Sequence, residues 1–392
     1  MVHSELGYMG YFDRESCDLN EFKVLTSQSL ATADVPLATA IEKNVPIYDM
    51  AALRPDLEDP SKRAEVLSEW GRVLRHGAGV ICLKGAYVDT GVIDRATDVF
   101  DAIIRDERDT GGEKGDHFAA SGANDRVWNA LQKHCLRDPE GFALYYGNTS
   151  IAAACEAWLG PHYQVTSQVN QVRPGGKAQS AHRDYHLGFQ KADVAAQFPA
   201  HVHELTAALT LQGAVAHCDM PIESGPTKLL PFSQSYGPGY LAFHDPAFAA
   251  YFDEACIQLP LKKGDAVFFN PALFHAAGEN SSADIHRMAN LLQISSAFGR
   301  AMEAVDRDAM CRAAFPALIA LQGNGLTPVE LAATIAATAE GYAFPTNLDT
   351  DPPTGGNAPQ TQADILRKAV QDGWSASDLN RALDDLNMRS AA

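Results

Sequence analysis

Two imidazoles, a guanidinium, a carboxylate and a phenol fall within six residues at Ala181-His182-Arg183-Asp184-Tyr185-His186, just after the turn Arg173-Pro174-Gly175-Gly176. On an extended chain, alternation puts His182 and Asp184 on one side, roughly 7 Å apart, and one metal ion can draw two such ligands together. His186 would lie roughly 13 Å from His182, too far to be the third ligand if the segment stays extended. Among the thirteen histidines, His275 stands out by context. It follows a Gly264-Asp265 turn and the apolar run Ala266-Val267-Phe268-Phe269-Asn270, which places it at the rim of a β core where rigid strands can aim a ligand. Two histidines and one carboxylate on one face of a metal leave about three positions open, the pattern of non-haem Fe(II) oxygenases. Zinc is the competing metal, and a zinc hydrolase would need a bound water and a general base instead of a docking site for an organic co-substrate.

Arg287 bears on that choice. It opens an apolar strand twelve residues after His275, and a guanidinium entering a β core needs an anion, for which a carboxylate suits its fork. Gln293 shares its face by alternation. Gln168 and Asn170 share a face of the strand before the metal segment and could hydrogen-bond a co-substrate or substrate, and Thr227 is a further candidate of the same kind. Tyr185 and His186 adjoin the ligands and could line a substrate pocket. Residues 115–128 mix glycine, polar and aromatic side chains as a lid or substrate loop would.

These residues need a rigid frame, and the hydrophobic patterning supplies one. Residues 1–45 show no clear period and read as an arm. Val66, Leu67, Trp70, Val73 and Leu74 recur at helical spacing, and Gly77 and Gly79 stop the run. A buried strand at 80–83 follows, then helices at about 90–105 and 150–159. Between 163 and 296 short β-branched and apolar segments alternate with Gly, Pro, Asn and Asp clusters, predicting strands at 163–172, 205–216, 227–230, 256–261, 266–270 and 287–296. Helices return afterwards. Thr327, Pro328 and Glu330 specify one start, residues 341–360 hold four prolines and read as a loop, and Ser375 with Asp378 starts a last helix with Leu379, Leu383 and Leu386 on one stripe. That stripe offers a face for a partner element or a second subunit. The division expected is an arm (1–45), a β-core domain with buttressing helices (46–300) and a helical extension (301–392).

With 392 residues and 46% hydrophobic content the chain has ample material for a large core, so disorder as its main state is excluded. Thirty-one basic against 49 acidic residues give a net charge of −18, which would repel nucleic acid and anionic lipid. Seven scattered cysteines without a CxxC pair fit free thiols in a reducing cytoplasm. No secretory signal pattern and no apolar run of membrane-spanning length is present, so a cytoplasmic location is expected.

Taken in order, His182-Arg183-Asp184, the segment from Leu261-Lys262-Lys263-Gly264-Asp265 to His275-Ala276-Ala277-Gly278-Glu279-Asn280, and Arg287 resemble the phytanoyl-CoA dioxygenase family of Fe(II)- and 2-oxoglutarate-dependent oxygenases. Glu223-Ser224-Gly225-Pro226-Thr227 matches the family's Gly-Pro turn, whereas Phe232 and Gln234 depart from the Pro-Gly-Ser-His pattern expected after it. The resemblance implies a mainly β core with helices, a double-stranded β-helix (a jelly-roll, cupin-like barrel). It further implies iron held by His182, Asp184 and His275, and 2-oxoglutarate with its far carboxylate on Arg287. A small molecule would then be oxidised by O2, with release of succinate and CO2. Family members that halogenate lack the metal carboxylate, so Asp184 points to hydroxylation or another oxidative C–H reaction. A zinc hydrolase on a barrel and a non-catalytic ligand-binding barrel are the alternatives.

Overall fold

The computed structural model describes residues 10–109, 124–353 and 355–391. Eight strands form one large sheet: β1 (Ala40–Glu42), β2 (Val45–Asp49), β3 (Val80–Lys84), β4 (Asn124–Val127), β5 (Gln164–Val172), β6 (Thr210–Ala216), β8 (Ala266–Phe269) and β10 (Arg287–Ser295). Their order is β1-β2-β3-β8-β6-β10-β5-β4, antiparallel except for the parallel pair β2–β3. The sheet thus begins inside the segment expected as an arm. A smaller layer faces it, built on β7 (Lys228–Leu229) and β9 (His275–Ala276). It is extended by single bridges from His275 to His182, Leu229 to Ile257 and Met220 to Leu261. Two facing antiparallel layers with the ligand-bearing segments in the smaller one make the double-stranded β-helix, with helices packed outside it.

The nine-residue register of β5 on β10, with Arg287 opposite Val172 and Gln164 opposite Ser295, fixes which side chains share a face. On one face Val165, Val169, Leu211, Val215, Phe268, Met288, Leu292 and Ile294 join Trp70, Phe100, Phe142 and Phe315 of the helices in the main core. On the other, Val45, Ile47, Val80, Cys82, Ala216, Val267, Phe269 and Ala289 close against Met220, Leu229, Leu259, Leu261 and Leu273 of the small layer. Thr166, Gln168, Asn170, Gln212, Arg287 and Gln293 lie on this second, inner face by the same registers.

Two expected strands take another form. Residues 205–216 begin as the helix Ala200–Ala208 and become strand only at Thr210, because the alanine-rich stretch after Pro199 favours helix. Residues 256–261 make two isolated bridges and no ladder, since Pro260 has no N–H to donate. The helices Ala130–Arg137 and Pro139–Tyr146 escape a reading by periodicity, being only eight residues each. The other long helices form as the sequence predicts, at Pro60–His76, Gly91–Asp109 and Thr149–Leu159.

The last helix, Ala376–Ser390, starts at Ser375, whose hydroxyl accepts from Asp378 N–H. Its stripe of Leu379, Leu383 and Leu386 is buried in this chain's own core. Those three side chains stabilise the docking of the helix by about 2 kcal/mol each, so of the two occupants expected for this face, a partner element or a second subunit, it is an element of the same chain that covers it. All seven cysteines are free. No helix among the described residues is long and apolar enough to cross a membrane.

Beneath the sheet, Asn290 donates to the hydroxyls of Tyr145 and Tyr146, and Tyr145 also meets His217 Nε2 at 2.9 Å. His134 lies among the rings of Phe100, Phe142 and Tyr145, with no hydrogen-bond partner for either ring nitrogen among the described residues. Burial pushes His134 down to about 4 and His217 to about 3, from an ordinary 6.5. As pH falls through 6.5 the unfolded chain takes up protons at these rings while the folded chain does not, so stability is lost on acidification. Each ring should cost about 2 kcal/mol between pH 8 and pH 5. Urea unfolding at the two pH values checks this, and His134→Phe should remove about 2 kcal/mol of the difference.

Candidate metal centre

His182 and His275 are paired backbone to backbone, the N–H of each donating to the carbonyl of the other at 3.0 and 3.2 Å. Their rings lie 4.5 Å apart between centroids. Each Nδ1 donates to a backbone carbonyl two residues earlier, His182 to Ser180 at 2.9 Å and His275 to Leu273 at 2.8 Å. Such bonds fix the tautomer and leave Nε2 with its lone pair directed outward, the state a metal requires. Asp184 is set one step along by its N–H, which donates to Pro271 O at 3.1 Å. Its carboxylate oxygens lie 3.8 Å from His182 Nε2 and 3.4 Å from His275 Nε2.

One ligand atom from each of the three residues falls within 4.8 Å of the others. Donors sharing one ion through bonds of about 2.1 Å lie roughly 3 Å apart, so the triad needs little movement to close on a metal. Gln212 on β6 donates its amide N–H to Asp184 Oδ2 and orients the carboxylate. Burial works to raise the Asp184 carboxyl, but His275, His182 and Gln212 outweigh it and hold it well below the usual carboxylate range. Burial and the neighbouring His275 lower His182, which favours the neutral ring.

Arg183, between the two ligands, points the other way and is buried. Its Nη2 donates to Ser233 O and Tyr236 O at 2.6 and 2.9 Å, and its guanidinium stacks on Tyr240 and Phe274. Gly239 is required there, since a Cβ at that position would come 1.9 Å from Arg183 Cζ. The ligand segment is thereby anchored from below.

Arg287 crosses from the large sheet to the small layer, where Nη1 donates to Ser224 O and Gly278 O at 3.1 and 3.3 Å. It is buried, and among the described residues no carboxylate pairs with it. Burial lowers it to about 10. A buried guanidinium held, among the described residues, by carbonyls alone is suited to an anion, and it lies in the same barrel as the triad. The Gly-Pro turn seats its carbonyls: Gly225 has φ +73, and a Cβ there would strike Glu279 O at 2.2 Å.

The other sequence candidates are distributed as follows. Gln168 and Asn170 face the interior, and Gln168 Oε1 accepts from Arg126 Nη1 at 2.9 Å. Thr227 falls on the same side as interior Leu229 by alternation, half-buried. Gln293 stands opposite Gln212 and Thr166 on the inner face. Tyr185 is buried, and His186 Nδ1 lies 2.8 Å from Thr206 Oγ1, apart from the ligand group. The chain is not extended there, because Tyr185 and His186 have φ of 64 and 44. Gln234 turns to the end of the helix Pro60–His76, donating to Gly77 O at 2.8 Å. Of the expected loop, residues 115–123 lie outside the described residues, and 124–127 form the edge strand β4.

Sequence reasoning missed Gln212 and Glu303, and took in Arg126 only as part of the loop expected at residues 115–128. Glu303 accepts from Asn129 N–H at 2.7 Å, and burial raises its carboxyl. Gln212 shares the inner parity of its strand with Thr210, Ala214 and Ala216, which does not single it out in the sequence.

The sequence profile of the family described as phytanoyl-CoA dioxygenase (PhyH) matches residues 51–289, well over half of the chain. The chain belongs to the phytanoyl-CoA dioxygenase family. The family is one of non-haem iron, 2-oxoglutarate-dependent oxygenases, and the cluster of His182, Asp184 and His275 fits the Fe(II) and 2-oxoglutarate that its members use. It is similar to the dioxygenase trt7 of Aspergillus terreus, 29% identical over 128 residues, or 33% of this chain and 39% of that one. It is also similar to the dioxygenase cdmD of Talaromyces verruculosus, 29% identical over 131 residues, or 33% and 38%. The match thus spans about two fifths of the length of these curated relatives. Among solved structures, the epimerase SnoN in complex with Fe3+, alpha ketoglutarate and nogalamycin RO aligns at 19% identity. That alignment covers 61% of this chain and 85% of that one with a TM-score of 0.41.

Proposed function

We propose that this phytanoyl-CoA dioxygenase family member hydroxylates, or otherwise oxidises at an unactivated C–H bond, a small-molecule substrate. One O2 and one 2-oxoglutarate would be converted to succinate and CO2, with one oxygen atom delivered to the substrate and the other to succinate. The observation that carries the reading is the convergence of three ligand atoms within 4.8 Å from two separate chain segments.

His182, Asp184 and His275 would hold the iron, which with 2-oxoglutarate supplies the activation of O2. The protein's own side chains do the rest. Carbonyls of Ser180 and Leu273 fix the imidazoles, and Gln212 holds the carboxylate. Arg287 would bind the far carboxylate of 2-oxoglutarate, with Gln168, Asn170 and Thr227 on the co-substrate side and Tyr185, His186 and Gln293 toward the substrate. The apolar walls of Val80, Val267, Phe269 and Leu273 exclude water. Free thiols throughout support a reducing, cytoplasmic setting.

Anaerobic addition of Fe(II) and then 2-oxoglutarate should produce the visible absorption band of the chelate. Arg287→Ala should raise the 2-oxoglutarate KM by about 10- to 100-fold, the worth of a charge-assisted pair, with kcat changed far less and Arg287→Lys intermediate. No band, together with an unaltered KM in Arg287→Ala, would refute the assignment.

A further inference from the structure

The inner face carries more polar groups than iron and 2-oxoglutarate account for. Tyr185 Oη, Gln293 Oε1 and Gln212 Oε1 are buried without a hydrogen-bond partner among the described residues. Leaving a buried polar atom unpaired costs about 1–3 kcal/mol, so a cluster of them marks where a ligand's polar atom belongs. Gln293 and Gln212 are directly opposite on β10 and β6. Gln293 lies six residues from Arg287, roughly 20 Å along the strand, so the pair sits at the end of the barrel remote from Arg287.

A groove opens at that same end. The left-handed backbone at Tyr185 and His186 turns the chain into the short 3-10 helix His186–Phe189, which packs beside the helix Ala200–Ala208. Between them is a cavity of about 240 Å³ whose apolar walls are Leu187, Phe198, Val202, Leu205 and Leu209. His186, held by Thr206, and Gln190 complete the lining. The groove adjoins the metal site along two chain paths: His186 is two residues beyond Asp184, and Leu209 three before Gln212, each within about 10 Å. Its lining bears no carboxylate, lysine or arginine. Phe198 and Leu205 remain 39% and 50% exposed, so the groove is reachable from solvent. A phenol and amide oxygens, one able to donate and the others to accept, recognise a hydroxyl, whereas a phosphate or carboxylate would call for a cation.

Resting on the oxygenase reading above, we propose that the substrate is a neutral, largely apolar molecule. Its body lies along Leu187, Val202, Leu205 and Leu209, and its hydroxyl donates to Gln293 Oε1 and accepts from Tyr185 Oη. The reacting carbon would then be one close to the polar group, because that group stands beside Asp184.

The test is equilibrium dialysis with 2-naphthol, naphthalene and 2-naphthyl phosphate, on protein as purified and again anaerobically with Fe(II) and 2-oxoglutarate. 2-Naphthol should bind at least about tenfold more tightly than either of the others, the worth of one buried hydrogen bond. Leu205→Glu, at a half-exposed position where folding is not threatened, should weaken 2-naphthol at least tenfold. Gln293→Leu combined with Tyr185→Phe should erase the preference over naphthalene while naphthalene still binds. Equal binding of all three probes, or wild-type affinity in Leu205→Glu, overturns the inference. Because the as-purified arm needs no iron, the two readings fail separately. Selective 2-naphthol binding without a chelate band removes the oxygenase reading and leaves the ligand class, and a chelate band without selective binding removes the ligand class alone.

Discussion

Replacing His275 with alanine is expected to lower substrate-dependent succinate formation by at least about 1000-fold, some 4 kcal/mol of barrier, and to leave the purified chain nearly free of iron. The reason is geometric. His275 supplies a ligand atom 3.4 Å from Asp184 and does so from the small layer, whereas His182 and Asp184 share one segment. Without it two donors remain, too few to define one face of the ion. The backbone pairing of residue 275 with His182 does not use the ring, so the variant should fold. Metal analysis after gel filtration, alongside a succinate assay, checks both halves. His134→Phe, which removes an equally buried imidazole outside the site, should keep its iron. Full activity in His275→Ala would end the proposed assignment of the ligands.

The largest effect on stability should come from a residue that carries no chemistry. Gly239→Ala places a methyl 1.9 Å from Arg183 Cζ, and the guanidinium is pinned by two carbonyls between Tyr240 and Phe274. Expelling a buried cation from its partners costs about 4 kcal/mol. Urea unfolding should show that loss, and iron affinity should fall with it because Arg183 separates two ligands. The cause can be isolated with a double-mutant cycle. In an Arg183→Met background, where the flexible thioether can yield, Gly239→Ala should cost no more than about 1 kcal/mol. An undiminished cost there would place the clash elsewhere.

The His182–Asp184 pair was legible because a period-two alternation is a property of any extended chain, and His275 and Arg287 because each adjoins a strand whose apolar run announces itself. The helix starts at Thr327 and Ser375 were legible for a similar reason, since capping is settled within four residues. Gln212 was not, since only the register of β6 against its neighbours and the fold of the 182–184 segment bring its amide to Asp184. Nor was the role of Arg183, whose carbonyl partners lie some fifty residues away. The helix Ala200–Ala208 was hidden because its short apolar stretch merges into the strand after it.

The sequence by itself determined the kinds of chemistry available, two imidazoles and a carboxylate with a guanidinium to follow, and the strands able to carry them. Only the tertiary structure decided that His275 meets the earlier pair across the small layer, that Arg287 lies buried in the same barrel without a carboxylate partner, and that the terminal leucine stripe is used within the chain. Local backbone preferences are written in a few consecutive residues. Convergence of side chains some ninety positions apart depends on strand register and layer packing, which no short stretch of sequence contains.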